Sequence, residues 1–163
     1  MRLDDDILAS YLRRAYQAVD GLWFMMVEED LGFERALDLD VRVWRVLAKI
    51  QARKAREMLG VSGNSAEELA RCFSVKLEAD GHQFSVETGG DGVVFCIQAC
   101  PWLELVRKSD RQHIAAKVAQ AVCSAEGSVW CTEFGGEWHF DMPLMACSGA
   151  ERCEMRFSRA IGE

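Results

Sequence analysis

The sequence predicts an α+β fold in which N-terminal helices pack on an antiparallel sheet of about four strands. Apolar side chains recur about every 3.6 residues over the first 75 positions, which is typical of amphipathic helices. After Gly81 the repeat changes to a period of two, which is typical of strands. The chain has 163 residues, half of them hydrophobic, and this favours a single domain over 1–163 with a helical half (1–75) and a sheet-containing half (81–160).

Three helices are predicted in the first half. The first runs from about Asp4 to Leu31, with carboxylates at its start, where the helix dipole favours negative charge. The second runs from about Glu34 to Leu59 and ends at a glycine. Ser65 and Glu68 have the spacing of a capping box, so we expect a third, shorter helix through Phe73.

A hairpin is predicted at the start of the second half. The alternation over 82–86 indicates one strand, 88–92 is a glycine-rich turn, and 93–100 is the second strand. Because side chains alternate along a strand, Cys96 and Cys100 are expected to point the same way.

The remaining elements are one or two helices and a second hairpin. Pro101 suits the first turn of a helix, and Gly127 is expected to interrupt the helical stretch that follows. Alternation over 138–142 and 153–157 predicts two further strands. Pro143 indicates that the first of these is an edge strand or carries a bulge.

The charge pattern argues against nucleic acid and membrane as partners. The net charge is -7, whereas phosphate binding requires a basic footprint. The basic stretch over 42–56 is interpreted as a solvated helix face. No apolar run approaches the roughly 20 residues that cross a bilayer, and the acidic start is unlike a targeting segment. We therefore expect a soluble, cytoplasmic protein.

Two acidic features could support acid–base or metal chemistry. They are the run 28–30 and the pair Asp38 and Asp40. We favour the simpler interpretation, an exposed helix end and a dipole partner in the first turn of a helix. No Glu-x-x-His motif accompanies them, which disfavours a di-metal site in a helix bundle.

Seven cysteines are the most informative side chains. In a reducing compartment such a group indicates metal, redox or thiol chemistry more often than disulfides. Burial as small hydrophobes is the main alternative. Cys100 precedes Pro101 at a strand-to-helix junction, where a helix N-terminus lowers a thiol pKa, so Cys100 is the best candidate nucleophile. His113 or His139 could approach a thiol, but their spacing does not decide this.

Several short stretches resemble a family of small cytosolic proteins of unknown function from anaerobic bacteria and archaea. In the N-terminal half the resemblance lies in the stretches Gly21–Phe24, Val27–Glu28, Gly32, Ala36–Leu37, Asp40 and Val43–Trp44. In the C-terminal half it lies in Cys100–Pro101, Cys123 and the ending Gly149–Phe157.

The ending is also similar to that of the L-2-amino-thiazoline-4-carboxylate hydrolase family and, more distantly, to 4-vinyl reductase domains. The hydrolase resemblance implies ring opening of a small cyclic C–N substrate. The vinyl-reductase resemblance implies a small-ligand pocket between helices and sheet, and a homodimer. The matching thiols would be Cys100, Cys123, Cys147 and Cys153, which we predict as ligands of zinc or iron.

The leading hypothesis is therefore a sensor-like cytosolic domain that holds a small molecule or a metal in a cysteine-lined pocket. Its predicted aromatic walls are Trp23, Trp44, Trp102 and Trp130. The alternative is a hydrolase that uses a Cys100 thiolate or a thiolate-bound metal. A third hypothesis is a structural or partner-binding domain with buried thiols.

Overall fold

A computed structural model describes residues 4–89 and 92–159, and the elements within them follow the predicted order. The helices are α1 (Asp5–Leu31), α2 (Phe33–Leu59), α3 (Ala66–Asp80), α4 (Pro101–Lys108) and α5 (Gln112–Glu133). The strands are β1 (Gln83–Gly89), β2 (Gly92–Ala99), β3 (Trp138–Leu144) and β4 (Cys153–Arg159). The predicted turn over 88–92 includes residues 90 and 91, which lie outside the described residues.

The four strands form one antiparallel sheet in the order β1-β2-β4-β3. Along β2 the side chains of Val93, Phe95 and Ile97 are buried, whereas those between them are only partly covered. The helices therefore cover one face of the sheet, and the predicted α+β class is confirmed. β3 lies at an edge, as Pro143 indicated, and its pairing with β4 is irregular between Asp141 and Leu144.

The main core lies between α3, α5 and the sheet. The ring of Phe73 is its centre, because the ring centroids of Phe95, Trp130 and Phe157 each lie 5.0 Å from it. The predicted capping box at the start of α3 is confirmed, since Ser65 accepts from the backbone N–H of Glu68 and the Glu68 carboxylate accepts in return. These local and tertiary contacts hold α3 in place beneath the sheet.

The long helix α1 packs on the other elements through polar contacts and through the partly buried rings of Tyr16 and Phe24. Arg13 donates to the carbonyls of Ala79 (2.6 Å) and Glu78 (3.2 Å), and Gln17 donates to the carbonyl of Asp80 (3.1 Å). The carbonyls of Ala79 and Asp80 lie at the end of α3, where helical partners run out, and that of Glu78 also accepts from the backbone N–H of Gly81. Within 5–31 no residue is buried, and the helix continues through Gly21 without a break. The apolar stripe that predicted this helix consequently faces outward.

The predicted interruption at Gly127 is wrong. Helix α5 continues through this residue to Glu133. A side chain at Gly127 would meet the ring of Phe140, whose Cγ lies 2.1 Å from the position of an ideal Cβ. The glycine is thus a place of close helix–sheet packing, and the surrounding residues keep the helix intact.

The prediction that Cys96 and Cys100 point the same way is also wrong. Gln83 pairs with Ala99 and Phe84 pairs with Ile97, so one residue of β2 is bulged out of the ladder. A bulge changes the side on which the following residues lie. Cys100 therefore packs against the core, and Cys96 does not.

Among the described residues, no helix is long and apolar enough to serve as a membrane span.

Candidate functional site

A cavity of about 110 Å³ lies where helices α2, α4 and α5 meet the ends of β3 and β4. Most of its wall is apolar or sulfur-containing, and a few charged side chains reach it. The apolar and sulfur residues are Trp44, Cys100, Trp102, Leu103, Val118, Ala119, Val122, Cys123, Met142, Met145, Cys147, Cys153 and Met155. The polar residues are Asp20, Asp40, Lys76, His82 and Glu126. Apolar cavities with a few convergent polar groups are the usual form of small-molecule sites.

The structure brings together the four cysteines that the resemblance singled out. Cys100, Cys123, Cys147 and Cys153 all line this cavity, although up to 53 positions separate them in the chain. Each belongs to a different segment: the junction before α4, helix α5, the β3–β4 connection and strand β4. Tertiary folding thus assembles a wall that the spacing alone did not reveal.

Two of the four predicted tryptophans belong to this wall, and two do not. Trp44 and Trp102 line the cavity. Trp23 lies on the outer side of α1 with 68% of its surface exposed. Trp130 is fully buried in the main core, where it packs against Phe73. The structure therefore does not place Trp23 or Trp130 at the pocket, since one faces solvent and the other fills the core.

The pKa of Cys100 is raised overall, although the helix N-terminus acts on it in the predicted direction. The residue does precede the first turn of α4, and the nearby backbone N–H groups of Leu103 and Trp102 favour a thiolate. Burial disfavours the charged form more strongly and raises the pKa of the thiol overall. Cys100 is therefore a neutral thiol at physiological pH, which is unfavourable for a nucleophile.

The other thiols of the wall are in similar surroundings. Burial raises the pKa of Cys123, and the carboxylate of Glu126 adds to this effect. Burial also raises the pKa of Cys147. The Sγ of Cys153 accepts a hydrogen bond from the backbone N–H of Ala146 at 3.2 Å. Within the described residues no group of three or more histidine, cysteine or carboxylate side chains is arranged to hold a metal ion.

A buried ion-pair cluster lies against the cavity, and sequence reasoning missed it. The Nζ of Lys76 is 3.2 Å from a carboxylate oxygen of Asp80 and 3.2 Å from the Oε1 of Glu126. The Lys76 and Glu126 side chains are only 6% and 8% exposed. Burial lowers the pKa of Lys76, but the two carboxylates outweigh burial and raise it, so the lysine stays charged. The sequence held one signal: Glu126 is a charge within an otherwise apolar helical stretch.

Two further carboxyl groups, Asp20 and Asp40, reach the cavity from α1 and α2. The indole N–H of Trp44 donates to Oδ1 of Asp20 at 3.2 Å. Burial raises the pKa of Asp20, and this hydrogen bond opposes the change. Burial also raises the pKa of Asp40 to about 7, with a contribution from the charge of Asp20. Asp40 was interpreted as a dipole partner in the first turn of a helix, whereas the structure places it further along α2 and partly buried, with Asp38 exposed.

His82 is the histidine that reaches the thiol-lined cavity, whereas His113 and His139 lie exposed. Burial lowers the pKa of His82 to about 4, and the charge of Lys76 adds to this effect. Its ring is therefore neutral at physiological pH. Its Nδ1 atom is buried without a hydrogen-bond partner among the described residues.

A second cavity of about 100 Å³ adjoins the first beneath α4. The two share Asp20, Asp40, Trp102 and Val118 as lining residues. Because both acidic side chains belong to both cavities, they stand at the boundary between them.

The fold is similar to that of a sensory domain of known structure. The phenol-responsive sensory domain of the transcription activator PoxR, in its crystal structure with phenol, superposes with a TM-score of 0.56. The match covers 88% of this chain and 73% of that chain at 16% sequence identity, so the likeness concerns the fold.

By sequence, the chain belongs to a family of unknown function (DUF6125), whose model matches residues 5–153. No curated protein matches the chain. The predicted relation to a family of unknown function is thus confirmed. The predicted organisms and the similarities to the thiazoline hydrolase and the 4-vinyl reductase domains stay predictions.

Proposed function

We propose that this protein is a sensor-like domain that binds a small organic molecule in the cavity lined by Trp44, Trp102 and the four cysteines. The observation that carries the proposal is the cavity itself: apolar walls, partial enclosure between helices and sheet, and a few buried polar groups. The fold of the phenol-responsive domain of PoxR supports it, because that domain was crystallised with a small aromatic ligand.

The size of the cavity favours a ligand of about one ring. An apolar cavity of about 150 Å³ can hold benzene. The main cavity measures about 110 Å³, and the adjoining one adds about 100 Å³. Indole and sulfur surfaces suit such a ligand, since methionine and cysteine are polarisable and pack well against aromatic rings.

The four thiols form the polarisable part of this wall in the proposed site. A zinc or iron centre on Cys100, Cys123, Cys147 and Cys153 stays a prediction. The donor set as placed does not fit a preformed metal site, because no suitable group of three lies close enough within the described residues. Elemental analysis of protein purified without oxygen tests this prediction: about one metal per chain supports it, and less than a tenth contradicts it.

The hydrolase alternative has one observation in its favour. Burial raises the pKa of Asp40 to about 7, and a carboxyl group of this kind beside a cavity suits general acid–base catalysis. The raised pKa of Cys100 disfavours the cysteine nucleophile of that alternative. We therefore place ligand binding first.

We also propose that the protein forms a homodimer through the outer face of α1. Large side chains exposed on this face include Leu12, Val19, Leu22 and Trp23, at 56%, 68%, 58% and 68%. Their spacing of three, four and seven residues places them on one stripe of the helix. Exposed apolar patches on a protein surface commonly mark interaction sites. A second copy of the same stripe would cover it symmetrically.

Ligand binding is tested by titrating the protein with phenol and measuring the heat of binding by isothermal calorimetry and the change in indole fluorescence. The variant Ala119→Leu fills the cavity and is expected to weaken phenol binding at least tenfold. Gln120→Leu is the matched control, because Gln120 lies on the exposed side of the same helix. Phenol binding that is equal in both variants would contradict the proposed site.

A further inference from the structure

The polar lining of the main cavity has more carboxyl groups than basic side chains. Asp20, Asp40 and Glu126 reach it from three different helices. Lys76 is the one lysine or arginine among the described lining residues. Its charge is already shared by Glu126 and by Asp80, which lie 3.2 Å from its Nζ. The cavity therefore lacks positive charge to balance Asp20 and Asp40.

The arginine of the adjoining cavity does not supply that charge. Arg111 lines the adjoining cavity, but its guanidinium pairs with the carboxylate of Glu28. His82 faces the main cavity as a neutral ring, because burial lowers its pKa to about 4. At low pH a proton neutralises Asp40, whose pKa burial raises to about 7. When Asp20 and Asp40 are ionised, a bound cation would supply the charge that the described lining residues do not.

One buried atom indicates where a donor fits. The side chain of Glu126 is 8% exposed, and its Oε2 accepts a hydrogen bond from Lys76. Its Oε1 has no hydrogen-bond partner of good geometry among the described residues, although the Nζ of Lys76 lies 3.2 Å away. A buried acceptor without a donor is costly. A ligand with N–H groups could satisfy Oε1 from the cavity.

The aromatic wall suits the same kind of ligand. Trp44 donates its indole N–H to Asp20 and belongs to the wall. An ammonium group is attracted to the face of an indole ring, and more strongly when water is excluded. Carboxylates and an indole together are the usual surroundings of a bound organic cation.

We propose that the cavity selects a small organic cation, a primary ammonium attached to an apolar body of about one ring. The ammonium would sit between Asp20, Asp40 and Trp44, at the boundary of the two cavities, within reach of Glu126. The apolar body would pack against the thiol and methionine wall. This inference rests on the proposed ligand-binding function and adds the chemical class of the ligand.

The charge state of the site makes its affinity for an ammonium group depend on pH. Burial raises the pKa of Asp40 to about 7, and Asp20 from α1 and Glu126 from α5 add to this effect. Lys76 on α3 also lies at the cavity as a positive charge. A cation favours the ionised form of Asp40, so its binding releases a proton below pH 7. The affinity for an ammonium is expected to rise from pH 6 to pH 8.

Three probes of one shape test the inference: benzylamine, which is mostly protonated at pH 7.5, benzyl alcohol and benzoate. Calorimetry on the full chain is expected to give benzylammonium an affinity at least tenfold above that of the alcohol. Benzoate is expected to bind most weakly. Asp20→Asn and Asp40→Asn should each weaken benzylammonium binding at least fivefold and leave the alcohol within twofold. Asp38→Asn is the matched control, because that exposed carboxylate lies on the same helix.

The outcomes separate the inference from the proposed function. If the alcohol or benzoate binds as tightly as benzylammonium, the preference for a cation is wrong while the ligand cavity stands. If Asp38→Asn weakens benzylammonium binding as much as Asp40→Asn does, the effect is one of general surface charge and the inference fails. If neither phenol nor any of the three probes binds, both proposals fail.

Discussion

The indole N–H of Trp44 donates to the Oδ1 of Asp20 over 3.2 Å and so joins α2 to α1 at the wall of the cavity. The ring of Tyr16 packs edge-on against the same indole, with centroids 6.2 Å apart. Helix α1 has no buried residue within 5–31, and this contact adds to those that Arg13, Gln17 and Glu28 make with other elements. The bond to Trp44 thus helps to fix Asp20 at the site.

Replacing Trp44 with phenylalanine should weaken the contact between α1 and α2 while keeping an aromatic ring. The variant loses the donor to a partly buried carboxylate, and we expect the free energy of unfolding to fall by about 1–3 kcal/mol. Urea denaturation at pH 7 measures the change. Val46→Ala on the same helix is the control, since that side chain is 62% exposed, and should stay within about 0.5 kcal/mol. Equal losses in both variants would show that the Trp44–Asp20 bond contributes nothing specific.

Replacing Asp40 with asparagine should stabilise the protein at alkaline pH. Because burial raises the pKa of Asp40 from 3.8 to about 7, the folded state holds a proton that the unfolded state releases between about pH 4 and 7. The contribution of Asp40 to the free energy of unfolding is therefore fully present below about pH 4 and is lost as the pH rises through about 7. We expect Asp40→Asn to match the parent at pH 4 and to be more stable by roughly 1–3 kcal/mol at pH 8.

The control for this prediction is Asp38→Asn on the same helix. Asp38 is exposed and pairs with Arg35 at 2.7 Å, so its replacement should change stability by less than about 1 kcal/mol at either pH. Urea midpoints at pH 4 and pH 8 give the comparison. An Asp40→Asn effect that is the same at both values would contradict the raised pKa.

Replacing Gly127 with alanine should destabilise the protein, although alanine is the better helix former. The new methyl group would meet the ring of Phe140 at 2.1 Å, and the overpacking is expected to cost about 1–3 kcal/mol. Gly21→Ala in α1 is the matched control, because nothing lies within 4 Å of its Cβ position. That variant should gain up to about 1 kcal/mol. Thermal denaturation measures the melting temperatures of these variants. If the clash with Phe140 causes the loss, the double variant Gly127→Ala with Phe140→Leu should melt at a higher temperature than Gly127→Ala alone.

Replacing Trp23 with glutamate should dissociate the proposed homodimer. A charge in the middle of the apolar stripe of α1 cannot be buried without a partner. Sedimentation velocity at 10–100 µM is expected to show a dimer for the parent and a monomer for this variant. Val86→Glu is the control, because that side chain is 40% exposed on β1, away from α1. A parent that sediments as a monomer throughout would overturn the dimer proposal.

Local signals predicted the elements well. The capping residues Ser65 and Glu68, the alternation along β2 and the proline before α4 each depend on neighbours in sequence. Such signals also misled at Gly127, because a glycine within a helix can reflect a side chain packed from elsewhere. Only the position of Phe140 on β3 explains it.

The candidate site was predictable in part. Its thiols were singled out by their resemblance to a family, and the structure places all four at one cavity. Asp20 and Glu126 were missed, since a carboxylate in a helix is usually solvated and nothing in its neighbourhood shows that it is buried. The apolar stripe of α1 has the spacing of a helix face that packs on a core, but in the structure it is exposed. Apolar spacing shows that a helix has an apolar face and does not show what covers that face.

The sequence by itself determined the order of helices and strands, the α+β class and the identity of the thiols and carboxyl groups available for chemistry. These depend on backbone preferences and on the period of apolar residues, which act over a few positions. Only the tertiary structure decided which groups meet at the cavity, that Cys100 turns inward after a bulge, and that the pKa of Asp40 rises to about 7. Burial and charge act through space, so they depend on residues that the chain brings together from distant positions.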